Sequence, residues 1–156
     1  MATDWQPPGW AATVTLPLAL IGCGVSGYLT YEHFSASTTL ACPESGVVNC
    51  VRVTTSSQAY LLGVPVALLG LLFFIGMAAL CLPAVWRARP PALRWLRLTA
   101  SAAGVAMVIY LVYVELFVLD AICLWCTAVH VLTLLLFAAV AIAMALAGLA
   151  EPERVR

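Results

Sequence analysis

The feature that most constrains this chain is the length of its apolar runs. The first extends from about Trp10 to Tyr31 and the second from Pro65 to Trp86. A third block, Leu96 to Leu149, is too long for one membrane crossing and fits two, with Asp120 as the natural break. A helix crosses the hydrocarbon of a bilayer in about 20 residues. Apolar residues make up 64% of the sequence and charged ones 9%, where a soluble domain carries about a quarter. The chain must therefore lie in lipid. Little of its 156 residues is left over, so no separate soluble domain is expected. The first run is not a cleaved signal: it is too long, and only Asp4 is charged before it, so no basic segment precedes it.

Charge placement orients the bundle. All seven basic residues are arginines. Arg87, Arg89, Arg94 and Arg97 crowd the link between the second and third runs, and Arg154 and Arg156 follow the last. Only Arg52 falls in the first long link. Basic residues collect in cytoplasmic links, so both termini are expected inside and the first link and the Asp120 turn outside. The zero net charge offers nothing to a nucleic acid. The expected fold class is an all-α integral membrane protein. It is a four-transmembrane-helix bundle with helices at about 10–33, 65–86, 94–118 and 121–149. A long extracytoplasmic loop, 34–64, joins helices 1 and 2.

That orientation sorts the six cysteines. Cys42 and Cys50 lie in the outer loop, and Cys123 and Cys126 lie at the outer end of the last helix. Four thiols thus gather on the side where disulfides persist. Cys23 and Cys81 lie within the first two apolar runs and read as small core hydrophobes. The loop is long for a helix connection, which points to function. Its second half, "VVNCVRVTTSSQAYLLG", suits a short amphipathic segment lying over the bundle. Pro43, Gly46 and Asn49 make the Cys42–Cys50 interval turn-rich, so those thiols can meet or part. Gly63 and Pro65 restart a helix.

At the other pair, Asp120 is the expected N-cap of a helix beginning at Ala121. Cys123 then falls in the first turn, where the helix dipole favours a thiolate. Cys123, Cys126 and His130 follow i, i+3, i+7 spacing and line one face at increasing depth. This spacing suggests an electron route from an aqueous thiol to a lipid-soluble acceptor such as a quinone. An ionisable residue within a span is a functional candidate by default. His130 qualifies, although its ring could also serve to pair helices. Glu115 reads as a supporting or helix-pairing group. Tyr110, Tyr113 and Trp125 read as interface anchors. A static staple or a zinc site is the competing reading for the cysteines, but zinc ribbons use two Cys-x-x-Cys pairs in a hydrophilic module.

The order of motifs carries a family resemblance: a loop C-x7-C (Cys42, Cys50), Ser56 six residues on, "GVP" opening the next helix, and C-x-x-C (Cys123, Cys126) opening the last. This pattern resembles the vitamin K epoxide reductase family, and residues 1–156 look like its bacterial membrane module. The resemblance implies four helices around a quinone, ubiquinone or menaquinone, in a bacterial plasma membrane. It implies an enzyme that reoxidises a thioredoxin-fold (DsbA-like) thiol oxidase and supports disulfide bond formation. Cys42 is then the thiol facing the partner, Cys50 exchanges with Cys123, and Cys126 reduces the quinone. Ser56, with Ser57 as a substitute, would lie near the redox centre. The rest pairing stays open between Cys42–Cys50 with Cys123–Cys126, and Cys50–Cys123. His130 stands where vertebrate members carry a tyrosine, and Val66 stands near the place of their quinone-binding asparagine. Reduction of vitamin K epoxide in the same site is the alternative activity. No thioredoxin-like domain is fused within these residues, so the partner is expected to be a separate extracytoplasmic protein. The unrelated quinone-linked disulfide oxidases carry the two cysteine motifs in reverse order.

Overall fold

The computed structural model describes residues 6–35, 42, 46–88 and 90–150, with the backbone alone at 149 and 150. Asp4, Pro43, Arg89, Arg154 and Arg156, which entered the sequence reading, lie outside the described residues. The described residues form six α-helices in chain order: α1 (Trp10–Ser35), α2 (Cys50–Thr54), α3 (Val66–Leu80), α4 (Pro83–Trp86), α5 (Pro91–Tyr113) and α6 (Leu124–Ala150). A 3₁₀ turn at Ser57–Ala59 and a hairpin of β1 (Tyr60–Leu61) and β2 (Val64–Pro65) connect α2 to α3. Among the described residues, three helices are long and apolar enough to cross a membrane: Trp10–Ser35, Pro91–Val118 and Leu124–Gly148. The protein is an all-α membrane protein.

The expected helix over 65–86 is divided. α3 ends at Leu80, and α4 begins at Pro83 after a break at Cys81 and Leu82. Proline lacks an amide hydrogen and its ring collides with the carbonyl four residues back, so a helix running into Pro83 must stop. The freed Leu80 carbonyl is taken by Arg97, whose Nε and Nη2 donate to it at 3.0 and 2.7 Å. The same guanidinium lies 3.7 Å over the Trp86 ring. Trp86 Nε1 in turn donates to Thr15 Oγ1 at 3.1 Å. Four helices are thereby tied together at one end, and Arg97 is buried rather than a loose charge in the link.

α1 packs against α3 and α6, and α5 against α6. A Cβ at Gly22 would collide with the Phe74 ring, so glycine is what lets α1 and α3 approach there. The buried core gathers Ala11, Ala19, Phe74, Met77, Trp86, Leu136 and Val140. These residues fill the half of the bundle that holds the Arg97 cluster. The other half is not filled this way: it carries a cavity beneath the loop.

Two local departures shape that half. α5 passes at Val114–Val118 into a π-helical turn, where Leu119 N bonds Val114 O at 3.0 Å. The chain then reverses at Asp120, in the left-handed region with φ 46°. Asp120 is therefore not the expected cap, and α6 begins at Leu124 rather than Ala121. Residues 121 and 122 instead run alongside the loop. Val48 and Ile122 form a parallel bridge, with Asn49 N donating to Ile122 O at 3.1 Å and Ile122 N to Val47 O at 2.9 Å. Backbone that pairs with another strand cannot also begin a helix, which is why the start shifts.

Candidate active site

The loop pair is joined: Cys42 and Cys50 form a disulfide across a Cα separation of 6.1 Å. Cys50 is fully buried as the first residue of α2. Asn49 caps that helix, its Oδ1 accepting from Arg52 N at 2.8 Å. The β-bridge at Val48 and Ile122 brings the backbone just before Cys50 alongside the backbone just before Cys123. The two cysteine motifs are thus docked by main-chain hydrogen bonds, which no sequence spacing discloses.

Cys123 and Cys126 are free thiols. Cys123 is the N-cap of α6. Its Sγ accepts from Cys126 N at 3.2 Å, and its carbonyl accepts from Thr127 N at 2.8 Å. The expectation of one continuous helical stripe through Cys123 is corrected to a cap followed by Cys126 and His130, one turn apart. The Cys123 thiol is held below the ordinary thiol value. The Cys126 thiol donates to it, and the Cys126 and Trp125 amides add to that, against burial and the nearby Glu115. A thiolate is the species that attacks a disulfide.

Beneath the loop lies a cavity into which α1, α2, α3, the π turn and α6 all contribute. Its wall is mostly apolar: Leu29, Val53, Val66, Leu111, Val114 and Val129. Of the predicted site residues, Cys126, His130 and Ser56 line it. His130 is buried. Ser56 Oγ donates to Val53 O at 2.8 Å, so its hydrogen is engaged and lone pairs face the site. Ser57, the substitute, bonds Gln58 Oε1 at 3.0 Å instead. Val66, where an asparagine stands in vertebrate members, presents an apolar surface to the cavity.

Sequence reasoning missed three contributors, Ser26, His33 and Gln58, while Glu115, read as a supporting or helix-pairing group, also lines the cavity. Ser26 is the sharpest omission. It is buried on α1, and its Oγ has no hydrogen-bond partner. A mid-helix serine usually donates to its own backbone, so nothing in the sequence separates this one from any other. His33 packs edge-on against Tyr60, 5.3 Å between centroids, which ties α1 to the hairpin. Of the expected interface anchors, Tyr113 is exposed and stacks on exposed Phe117, while Trp125 is half-buried and packs against Tyr28.

A docked pair of cysteine motifs, one disulfide and one dithiol, lies over an apolar cavity inside a helical membrane protein. The model of the vitamin K epoxide reductase family matches residues 13–141, the greater part of the chain. The protein belongs to that family, whose members are oxidoreductases acting on disulfides or quinones.

Proposed function

We propose that this protein is a quinone-linked thiol–disulfide oxidoreductase. It reoxidises a separate extracytoplasmic thioredoxin-fold (DsbA-like) thiol oxidase and passes the electrons to a membrane quinone, supporting disulfide bond formation. The observation that carries this reading is the position of Cys126. Its side chain lines the apolar cavity, while its pair-mate Cys123 sits beside the loop that holds the Cys42–Cys50 disulfide.

Electrons move by thiol exchange through mixed disulfides. A partner thiolate attacks Cys42, and resolution leaves the partner oxidised and Cys42 and Cys50 reduced. The Cys50 thiolate then exchanges with the Cys123–Cys126 disulfide, restoring Cys42–Cys50 and leaving Cys123 and Cys126 as thiols. These two are returned to a disulfide by delivering two electrons and two protons into the cavity. Arginine placement supports a bacterial plasma-membrane topology of four crossings, with both termini cytoplasmic and the loop outside. α3, at 15 residues, is the shortest of the four.

The lining fits a quinone. Quinone oxygens accept hydrogen bonds, and the Ser26 hydroxyl is a buried donor left unengaged among the described residues. An unmet buried donor costs about 1–3 kcal/mol, so a ligand that satisfies it binds more tightly. Ser56, its hydrogen already given to Val53, would accept only from an O–H of the reduced quinol. His130 offers a second polar contact one turn below Cys126. The apolar Val66 leaves the vertebrate amide unreplaced, which favours a plain quinone over vitamin K epoxide as substrate.

The test is reconstitution with a reduced DsbA-like partner and either ubiquinone or menaquinone. Partner oxidation dependent on added quinone is expected, and it should vanish in Cys126→Ala. A protein that oxidises no dithiol with either quinone would sink the reading.

A further inference from the structure

Thiol oxidation inside an apolar cavity raises a problem that electrons alone do not. Forming the Cys123–Cys126 disulfide releases two electrons and two protons, and the acceptor needs both protons on its oxygens. The cavity wall is largely hydrocarbon, so the protons must travel on side chains. Among the described residues, Glu115 is the one carboxyl lining the cavity, and it is buried. Its carboxyl is within hydrogen-bonding reach of the Cys123 amide, and its charge is felt by the sulfurs of both Cys123 and Cys126.

No arginine among the described residues lines this cavity, and the chain has no lysine. A lone ionised carboxylate in such surroundings is costly, so it needs a reason to be there. Its placement is also built. Glu115 lies in the π turn, a local widening that recurs at functional sites, and its carbonyl accepts from Ala121 N at 3.1 Å. That bond ties the turn to the segment leading into Cys123. Among the described residues, the other titratable groups facing this space are Cys126 and His130 from α6 and His33 from α1; α3 contributes none.

We propose that Glu115 carries one of the two protons from the Cys123–Cys126 dithiol to the acceptor in the cavity; this rests on the quinone-linked reading above. The carboxylate takes the proton as the Cys123 sulfur gives it up and the S–S bond forms. It then releases that proton to a reduced acceptor oxygen, so Glu115 ends as it began. The second proton starts on Cys126, which lines the cavity itself, with the His130 imidazole one turn deeper to pass it on. Dithiol plus quinone becomes disulfide plus quinol, with no other reactant.

The test uses the full-length protein in nanodiscs with Glu115→Gln and Glu115→Asp. Single-turnover oxidation of the reduced protein by added quinone should slow about a hundredfold in Glu115→Gln, the usual scale for a lost proton-transfer group. Glu115→Asp should recover part of that rate. A second readout needs no quinone: the pH profile of Cys123 modification by a small thiosulfonate. Removing the negative charge lets the Cys123 thiolate form more readily, so the Glu115→Gln profile should move to lower pH by about one unit. Wild-type rate in Glu115→Gln would overturn the proposal whether or not the profile moves, and would leave the quinone-linked reading standing. Equal losses in both variants with lowered thermal midpoints would also overturn it, assigning Glu115 a structural role. A wild-type protein unable to reduce either quinone would instead remove the reading beneath it.

Discussion

The amide of Cys126 donates to the sulfur of Cys123 at 3.2 Å, so one thiol of the Cys-x-x-Cys pair caps the helix that carries the other. Cap and chemistry share an atom. Cys123→Ser should therefore keep the cap while abolishing exchange, whereas Cys123→Ala should lose both. The difference in stability expected between the two variants is about 1 kcal/mol, read from denaturation in detergent.

The same pair makes a pH prediction. Cys123 is held low first of all by the Cys126 thiol. Its reactive thiolate is present above that lowered value and is lost as pH falls through it. Cys126→Ala removes the thiol donor, so the modification profile of Cys123 should move to higher pH. An unmoved profile would mean that the amides, not the thiol, hold the charge.

Asn49 caps α2 and sits where the loop docks on residue 122. Asn49→Ala should cost about 1 kcal/mol locally and loosen Cys50. Electron transfer from the loop pair to Cys123 should then slow, while oxidation of the prereduced Cys123–Cys126 pair by quinone stays fast. Rapid-quench alkylation of each pair separates the two steps.

Gly70 lines the cavity, and a Cβ there would meet Ser26 Oγ at 3.4 Å. Gly70→Leu should fill the space that an acceptor needs and raise the quinone KM about tenfold or more, the equivalent of roughly 1.4 kcal/mol. Dithiol exchange at the loop should be spared. Steady-state titration with each quinone checks it.

At the opposite end, Arg97→Lys keeps a charge but cannot donate twice to Leu80 O or stack on Trp86 in the same way. A loss of about 2–3 kcal/mol is expected, seen as a lower thermal midpoint. The pH profile of Cys123 should not move, because Arg97 takes no part in the cavity.

Some of this was legible from residues alone. Long apolar runs force helices in lipid, because backbone amides in hydrocarbon must bond within their own segment. Cys126 and His130 share a helical face by periodicity, and both indeed line the cavity. The paired cysteine motifs carried the family. The Cys123 reading was half right: it is near the positive end of α6, but as the cap rather than in the first turn. Asp120 failed as a cap because a long-range backbone bridge claimed residue 122, and local propensity cannot anticipate a partner more than 70 residues away.

What the sequence by itself determined is the solvent this chain folds in and the kind of chemistry its thiols can do. Both depend on composition and on short spacings, which a chain carries wherever it bends. Tertiary structure decided which groups meet: the loop docked beside Cys123, the break at Pro83 secured by Arg97, and Ser26 and Glu115 turned to one cavity. These are contacts between residues remote in sequence. They follow from how helices approach and where a π turn re-aims a side chain, and packing alone sets that.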